Sequence, residues 1–283
     1  MVYQSTRSIL RRGKLAPHKK LGQNFLVHRH TAEKIIDLAN PAPEDTIVEV
    51  GVGFGALTMI LAQRVRRVIG FEIDAGIVAW HERKKDLAGN VCLRHDDILR
   101  ADLGELAAEA GRLKIIANLP YSISSPFLFR LLDNSSRVDW AVVMLQREVA
   151  ARLMAEPGTR EYGAPTVLLR CCATVRPLLT IKPQEFHPRP KVDSMVIRLS
   201  FSPPAQRGID LPDADLRLFR RVVNGAFGQR RKTLLNALHG ARIGGGKEEL
   251  AAAIDRAGIS PATRAEKLSL EDFVLLTRSI RNM

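Results

Sequence analysis

Residues Thr46–Thr58 read TIVEVGVGFGALT. Thr46–Val50 is a continuous, β-branched apolar run, the pattern of a strand buried on both faces. Gly51, Gly53 and Gly55 break it, and a helix opens behind them. Glycines there let the backbone turn tightly and approach a ligand, while a helix N-terminus offers free N–H donors. Gly51 to Ala56 also fits the dinucleotide pattern G-x-G-x-x-A. The loop alone therefore leaves NAD and S-adenosylmethionine both open. Glu72 ends the next strand-like run, about twenty residues on, where a carboxylate suits the ribose hydroxyls of either cofactor.

Around this segment the runs Val68–Ile73, Val91–Arg94, Leu113–Ala117 and Ala141–Leu145 are again continuous and rich in Val and Ile. Longer helical stretches separate them. That alternation is a βαβ series and predicts a doubly wound α/β domain. Two later β-rich runs, Thr166–Ile181 and Ser194–Phe201, have no strong helical pattern between them and are expected to pair at one edge of the sheet. Ser202–Pro212 (SPPAQRGIDLP) reads as a linker. Beyond it Leu216, Phe219, Val223, Ala226 and Phe227 fall on one helical face. Ser260-Pro261 reads as an N-cap with proline at the first helical position, and Ser269 with Asp272 as a capping box. The boundaries predicted are a basic arm over 1–20, a catalytic α/β domain over 21–203 and an all-helical domain over 212–283.

A second motif, Asn118-Leu119-Pro120-Tyr121 (NLPY), follows Leu113–Ala117. It is of the Asn/Asp-Pro-Pro-Tyr/Phe type found in amino-methyltransferases. The exocyclic amine of adenine is a poor nucleophile because its lone pair is delocalised into the ring. The Asn118 side-chain oxygen and the Leu119 carbonyl can both accept hydrogen bonds from that amine and hold its nitrogen toward tetrahedral geometry. Pro120 stiffens the turn, and Tyr121 offers a stacking face for an extruded base. This motif selects S-adenosylmethionine over NAD.

The chain holds 43 Lys plus Arg against 30 Asp plus Glu, a formal net charge of +13, which points to a polyanionic partner. Residues 1–32 carry no acid and read as a basic arm, with a mitochondrial transit peptide as the alternative. Leu216–Lys247 holds eight Lys or Arg and no acid, including Arg230-Arg231-Lys232. That triplet reads either as a phosphate-binding tract or as a solvated helix face. Three cysteines, Cys92, Cys171 and Cys172, are too few for a disulfide framework and fit a reducing cytoplasm. No apolar run approaches the length of a membrane span. The seven histidines show no metal-ligand spacing, so no metal is assigned.

Seven blocks in order resemble the bacterial small-subunit ribosomal RNA adenine N6-dimethyltransferases, the enzymes linked to kasugamycin sensitivity. They are KKLGQNFL (Lys19–Leu26), EVGVGFGALT (Glu49–Thr58), FEID (Phe71–Asp74), DDIL (Asp96–Leu99), NLPYSISSP (Asn118–Pro126), EFHPRPKVDS (Glu185–Ser194) and FGQRRKTLLNAL (Phe227–Leu238). The chain departs from the family pattern at Val52, usually proline, at Asp96, usually glycine, and at Ser122, commonly asparagine.

The resemblance implies a Rossmann-like class I S-adenosylmethionine-dependent methyltransferase sheet with a small C-terminal all-helical domain. It implies dimethylation of two adjacent adenines near the 3′ end of 16S rRNA in the small subunit, by a monomer. Asn24 and Leu26 would touch the methionine end of the cofactor, with Gln23 beside them, and Gly51 would line it through its backbone. Glu72 would bind ribose, and Asp97 would accept from the cofactor's adenine amine. Asn118 would hold the target amine, with Tyr121 and Phe186 sandwiching the target base. Asp97 also reads as a helix N-cap, and Phe186, beside Pro188 and Pro190, as plain core. The rival readings are the large-subunit adenine methyltransferases of macrolide resistance, a non-catalytic RNA-binding assembly factor and an NAD-dependent dehydrogenase. EFHPRPKVDS, FGQRRKTLLNAL and Leu119 favour the small-subunit enzymes.

Overall fold

The computed structural model describes residues 22–283; the basic arm expected over 1–20 lies outside the described residues. In chain order the first elements are β1 (Phe25–Leu26), α1 (Arg29–Ala39), β2 (Thr46–Val50), α2 (Thr58–Leu61), β3 (Arg67–Glu72), α3 (Ala75–Lys84), β4 (Val91–His95), α4 (Leu103–Ala110), β5 (Leu113–Asn118), α5 (Ser124–Asp133) and β6 (Val138–Gln146). Then come α6 (Arg147–Leu153), α7 (Ala164–Cys172), β7 (Ala173–Ile181), β8 (Phe186–His187), β9 (Ser194–Phe201), α8 (Leu216–Phe227), α9 (Leu234–Gly240), α10 (Lys247–Arg256) and α11 (Leu270–Arg281).

One sheet runs β4-β3-β2-β5-β6-β9-β7. The pairs from β4 through to β6 are parallel, and β9 returns antiparallel on β6. Every residue of β2 is buried, as its unbroken apolar run requires, whereas β4 at the edge is only half-buried. The strand order reverses between β2 and β5. In open α/β sheets ligands bind beyond the carboxyl ends of the strands at such a reversal. The core under it includes Ile36, Ile47, Leu61, Ile116, Val142 and Val196.

The chain forms two compact units. One takes the described residues up to Ala150 together with Val175–Phe201; the other takes Ala151–Thr174 and Ser202–Met283. Residues 151–174 therefore belong to the helical unit, although the sequence boundary put them in 21–203. Tyr162 accounts for the difference. Its ring is 1% exposed and forms a row with Phe227 and Phe273, at centroid distances of 5.9 and 5.7 Å. Its hydroxyl donates to the Leu268 carbonyl at 2.8 Å.

Further corrections concern the later segments. Thr166–Cys172, expected as strand, is the body of helix α7, with Pro165 in its first turn and the Gly163 amide donating to Thr166 Oγ1. Val167, Leu168, Leu169, Cys171 and Cys172 are all buried, so the segment is a short, nearly continuous apolar run that periodicity does not distinguish from a strand. Only Ala173–Ile181 is extended, at the sheet edge beside β9. Ser260-Pro261 starts a turn and no helix. The Pro261 and Thr263 carbonyls accept the Leu235 and Leu234 amides, which satisfies the first turn of α9. The Ser269–Asp272 capping box forms as expected, with bonds of 2.8 and 3.1 Å. Among the described residues no helix is long and apolar enough to cross a membrane.

Candidate active site

A cavity opens at the reversal between β2 and β5. Asn24, Leu26, Gly51, Glu72, Asp97 and Asn118, the residues expected to hold the cofactor, all line it. Gly51 sits at φ +80, and a Cβ built there would lie 2.9 Å from the Asn118 carbonyl oxygen. Only glycine lets the two strand ends approach this closely. Gly70 on β3 is needed for a similar reason, since a Cβ there would meet Val52 Cγ2 at 2.6 Å.

The glycine loop is held from both sides. Glu72 is 5% exposed; its Oε2 accepts the Gly53 amide at 2.9 Å and its Oε1 accepts the Asp74 amide at 2.9 Å. Burial pushes the Glu72 carboxyl up from its ordinary range, and the Asp74 charge adds to this, against the pull of the amides. Each oxygen keeps a further lone pair for a ligand hydroxyl. On the other side His81, 2% exposed, donates from Nε2 to the Gly53 carbonyl at 2.8 Å, with Nδ1 2.9 Å from Asp86. Asp74 caps α3 through the Gly76 and Ile77 amides and accepts from Gln23 Nε2 at 2.8 Å. That bond ties the segment before β1 to the end of β3.

Asn118 donates from Nδ2 to the Asn24 carbonyl at 3.3 Å. A carbonyl partner fixes the amide orientation and leaves Oδ1 as an acceptor for an incoming N–H. Asp97 Oδ1 accepts the Leu99 amide at 2.9 Å. Asp97 thus caps a turn, where a helix N-cap was the alternative expected, and it also lines the cavity; the next helix, α4, is capped by Asp102. Asp96, where the family pattern has glycine, lines the cavity too.

Three expected residues lie outside the cavity lining. Leu119 is buried behind the turn at 3% exposure. Tyr121 opens a short 3-10 turn, Tyr121–Ile123, and its hydroxyl lies 2.8 Å from Ser194 Oγ. Phe186, expected to face Tyr121 across a base, is a core ring. It is 1% exposed, pairs through β8 with Leu26 of β1, and packs with Ile36, Trp140 and Val196. The segment is extended, as its prolines suggested, but extension did not bring exposure.

The basic triplet is on no helix face. Arg230, Arg231 and Lys232 lie exposed in the turn between α8 and α9. Arg230 is engaged by Glu266 at 3.8 Å and by the Arg160 carbonyl. Arg231 and Lys232 have no ion-pair partner among the described residues.

The sequence reading gave no role to His81, Ser194 or Glu49, all polar and buried, although Glu49 opens the EVGVGFGALT block and Ser194 closes EFHPRPKVDS. It also missed Ile73, 47% exposed and lining the cavity beside Glu72. An apolar residue directly after the ribose-type acid was the available signal.

A glycine loop clamped by a strand-end carboxylate, across the reversal from an Asn-x-Pro-Tyr turn, defines a Rossmann-like methyltransferase. The chain belongs to the ribosomal RNA adenine dimethylase family, which matches residues 15–282. It is 48% identical over 284 residues to the ribosomal RNA small subunit methyltransferase A of Desulfotalea psychrophila, covering 97% of this chain and 95% of that one. It is 44% identical over 264 residues to the protein of the same name from Geobacter metallireducens, covering 93% and 94%. The dimethyladenosine transferase of Plasmodium falciparum shares the fold, with a TM-score of 0.73 at 22% identity over 89% of this chain and 95% of that one.

Proposed function

We propose that this methyltransferase uses S-adenosylmethionine to dimethylate N6 of two adjacent adenines in the 3′-terminal hairpin of 16S rRNA. It does so as a cytoplasmic monomer, on the small subunit or its precursor, with a part in subunit biogenesis. The observation that carries the reading is Asn118, which lines the cofactor-type cavity and commits its amide nitrogen to the Asn24 carbonyl, so that Oδ1 is left as an acceptor. The small-subunit names of the relatives favour 16S over 23S rRNA.

The donor set fits the cofactor. Glu72 offers charge-assisted acceptors to two ribose hydroxyls, Gly51 leaves room for close backbone approach, and Asp97 can accept from an adenine amine. Asn24 and Leu26 would contact the methionine end. S-adenosylmethionine would supply an electrophilic methyl group on sulfur.

The chain's own residues do the rest. Asn118 Oδ1 and the Leu119 carbonyl accept from the target amine, turning its lone pair out of conjugation and toward the methyl. The N–H proton becomes acidic only once the new C–N bond forms, so water suffices to take it. Tyr121, steadied by Ser194, stacks on the extruded base. Arg231 and Lys232 contact phosphates, while Arg230 beside them is held by Glu266.

Mass spectrometry of rRNA after incubating small-subunit particles and labelled cofactor with the protein tests this. Two dimethylated adjacent adenines in 16S rRNA are expected. Label in 23S rRNA alone would transfer the assignment to the large-subunit enzymes, and an unlabelled but tightly bound particle would make the protein an assembly factor.

A further inference from the structure

Glu49 has no part in the mechanism above, yet it is the most deeply buried acid of the cavity. It lies on β2, opposite Gly70 of β3 and Ile116 of β5, and its side chain is fully buried while lining the cavity. Neither carboxylate oxygen has a hydrogen-bond partner among the described residues. Thr58, at the start of α2, favours the ionised form without completing a bond, and its hydroxyl is also unpartnered. The charged group acting on Glu49 is Glu72 from β3, of like sign. The other ionisable groups near the loop are the cavity acids Asp96 and Asp97, Asp74 behind Gln23, and His81 with Asp86.

Burial without a completed hydrogen bond disfavours the ionised form of a carboxyl group and shifts it toward the protonated one. Burial, with the Glu72 charge adding, pushes the Glu49 carboxyl up to about 8. Burial thus favours the protonated form of Glu49 in the free protein. A cation entering the cavity restores the reason to ionise.

We propose that Glu49 is a charge-sensing residue of the cofactor cavity, more fully ionised with a sulfonium ligand bound than with the neutral thioether that methyl transfer leaves. This rests on the S-adenosylmethionine reading. The two cofactor forms share the adenine, the ribose, the carboxylate and the amine. They differ by one methyl group and one positive charge on sulfur. Stabilising ionised Glu49 is thus a preference for the unreacted form. Methyl transfer removes the charge, Glu49 shifts back toward its protonated form with a proton from solvent, and the spent cofactor is held less tightly. By linkage, the preference must strengthen as pH rises through the Glu49 range. A shift of one pKa unit on binding corresponds to a roughly tenfold change in the affinity ratio.

Titration calorimetry in two buffers of different ionisation enthalpy tests the proposal on the intact protein. S-adenosylmethionine is expected to release a larger fraction of a proton near neutral pH than S-adenosylhomocysteine does. The ratio of their affinities is expected to rise roughly tenfold or more between about pH 6 and 9. Glu49→Gln should bind both compounds and lose the difference in proton release. Equal proton release in the wild type, or an undiminished difference in Glu49→Gln, overturns the proposal while leaving the cofactor reading intact. Failure of the wild type to bind either compound overturns both. Infrared difference spectra of the wild type, which do not depend on the variant's folding, should show a carboxylic-acid carbonyl band reduced more by the sulfonium compound than by the thioether. An equal change with both again overturns it.

Discussion

The two sides of the cavity are built to different standards. On the β2–β3 side, Gly53 is bonded through its amide to Glu72 and through its carbonyl to His81, and Asp74 joins the cap of α3 to Gln23. On the β5 side, Asn118 makes one long bond of 3.3 Å, and Tyr121 is half-buried with a single hydroxyl contact. On the proposed function, the first side meets the same small molecule at every turnover and can be preorganised for it. The second must admit an amine that changes size with each methyl it receives. On the proposed assignment, rigidity is concentrated on the cofactor side and freedom is left on the side of the nucleophile.

If that contrast is right, substitutions on the open side should affect rate and those on the clamped side affinity. The largest effect is expected at Asn118. Losing one preorganised contact to the reacting group costs about 10²–10³ in rate. Single-turnover methylation by Asn118→Ala with substrate pre-bound should fall by that order, with cofactor affinity little changed. A loss of cofactor binding instead would place Asn118 on the clamped side.

Glu72→Ala removes the proposed ribose acceptors and the Gly53 clamp together. Charge-assisted hydrogen bonds contribute about 1.5–3 kcal/mol, so calorimetry should show cofactor affinity down by about tenfold to a hundredfold. Because burial raises the Glu72 carboxyl, its ionised form is lost early on acidification, and wild-type affinity should fall with it. An affinity unchanged in Glu72→Ala would remove the residue from the site.

A third expectation concerns stability without ligand. The unfolded chain releases the Glu49 proton near 4.5, whereas the folded protein keeps it to about 8. The folded state binds more protons in that window, so its stability falls as pH rises, by at most about 1.4 kcal/mol per pH unit. Glu49→Gln should flatten the decline in melting temperature across the window. Glu72 contributes with the same sign, so some slope should persist. An unaltered slope would show that Glu49 is ionised throughout.

The smallest effect is expected far from the chemistry. Alanine at Arg230, Arg231 and Lys232 should flatten the salt dependence of binding to small-subunit particles, by about 0.7–0.9 in log–log slope for each phosphate no longer neutralised. Arg230 is already engaged by Glu266. The Arg231–Lys232 double variant should therefore match the triple variant, with cofactor affinity unchanged in both.

Legibility followed periodicity and spacing. The five parallel strands were readable because a strand buried on both faces leaves an unbroken Val/Ile run, and their ends fell within a few residues of those expected. The glycine loop, Glu72 and Asn118 were readable because each sits at a strand's carboxyl end. Thr166–Cys172 was misread because a helix buried all round has the same apolar texture as a strand. Phe186 was misplaced because neighbouring prolines indicate extended backbone and say nothing of which side the ring takes. The link from Tyr162 to Leu268 spans 106 positions, and no local pattern announces it.

That link has a consequence for how the molecule can be divided. The chain enters the helical unit at Ala151, leaves it at Thr174 to lay down β7 and β9, and re-enters at Ser202. The helical unit is thus no detachable tail. A fragment stopped after Phe201 would contain the whole seven-stranded sheet, yet it would strand Tyr162 and the buried face of α7 without the helices that cover them. A fragment begun at Ser202 would lack those same side chains from its interior. Neither half can be swapped, transplanted or expressed as a module without carrying residues 151–174 to the correct side of the cut.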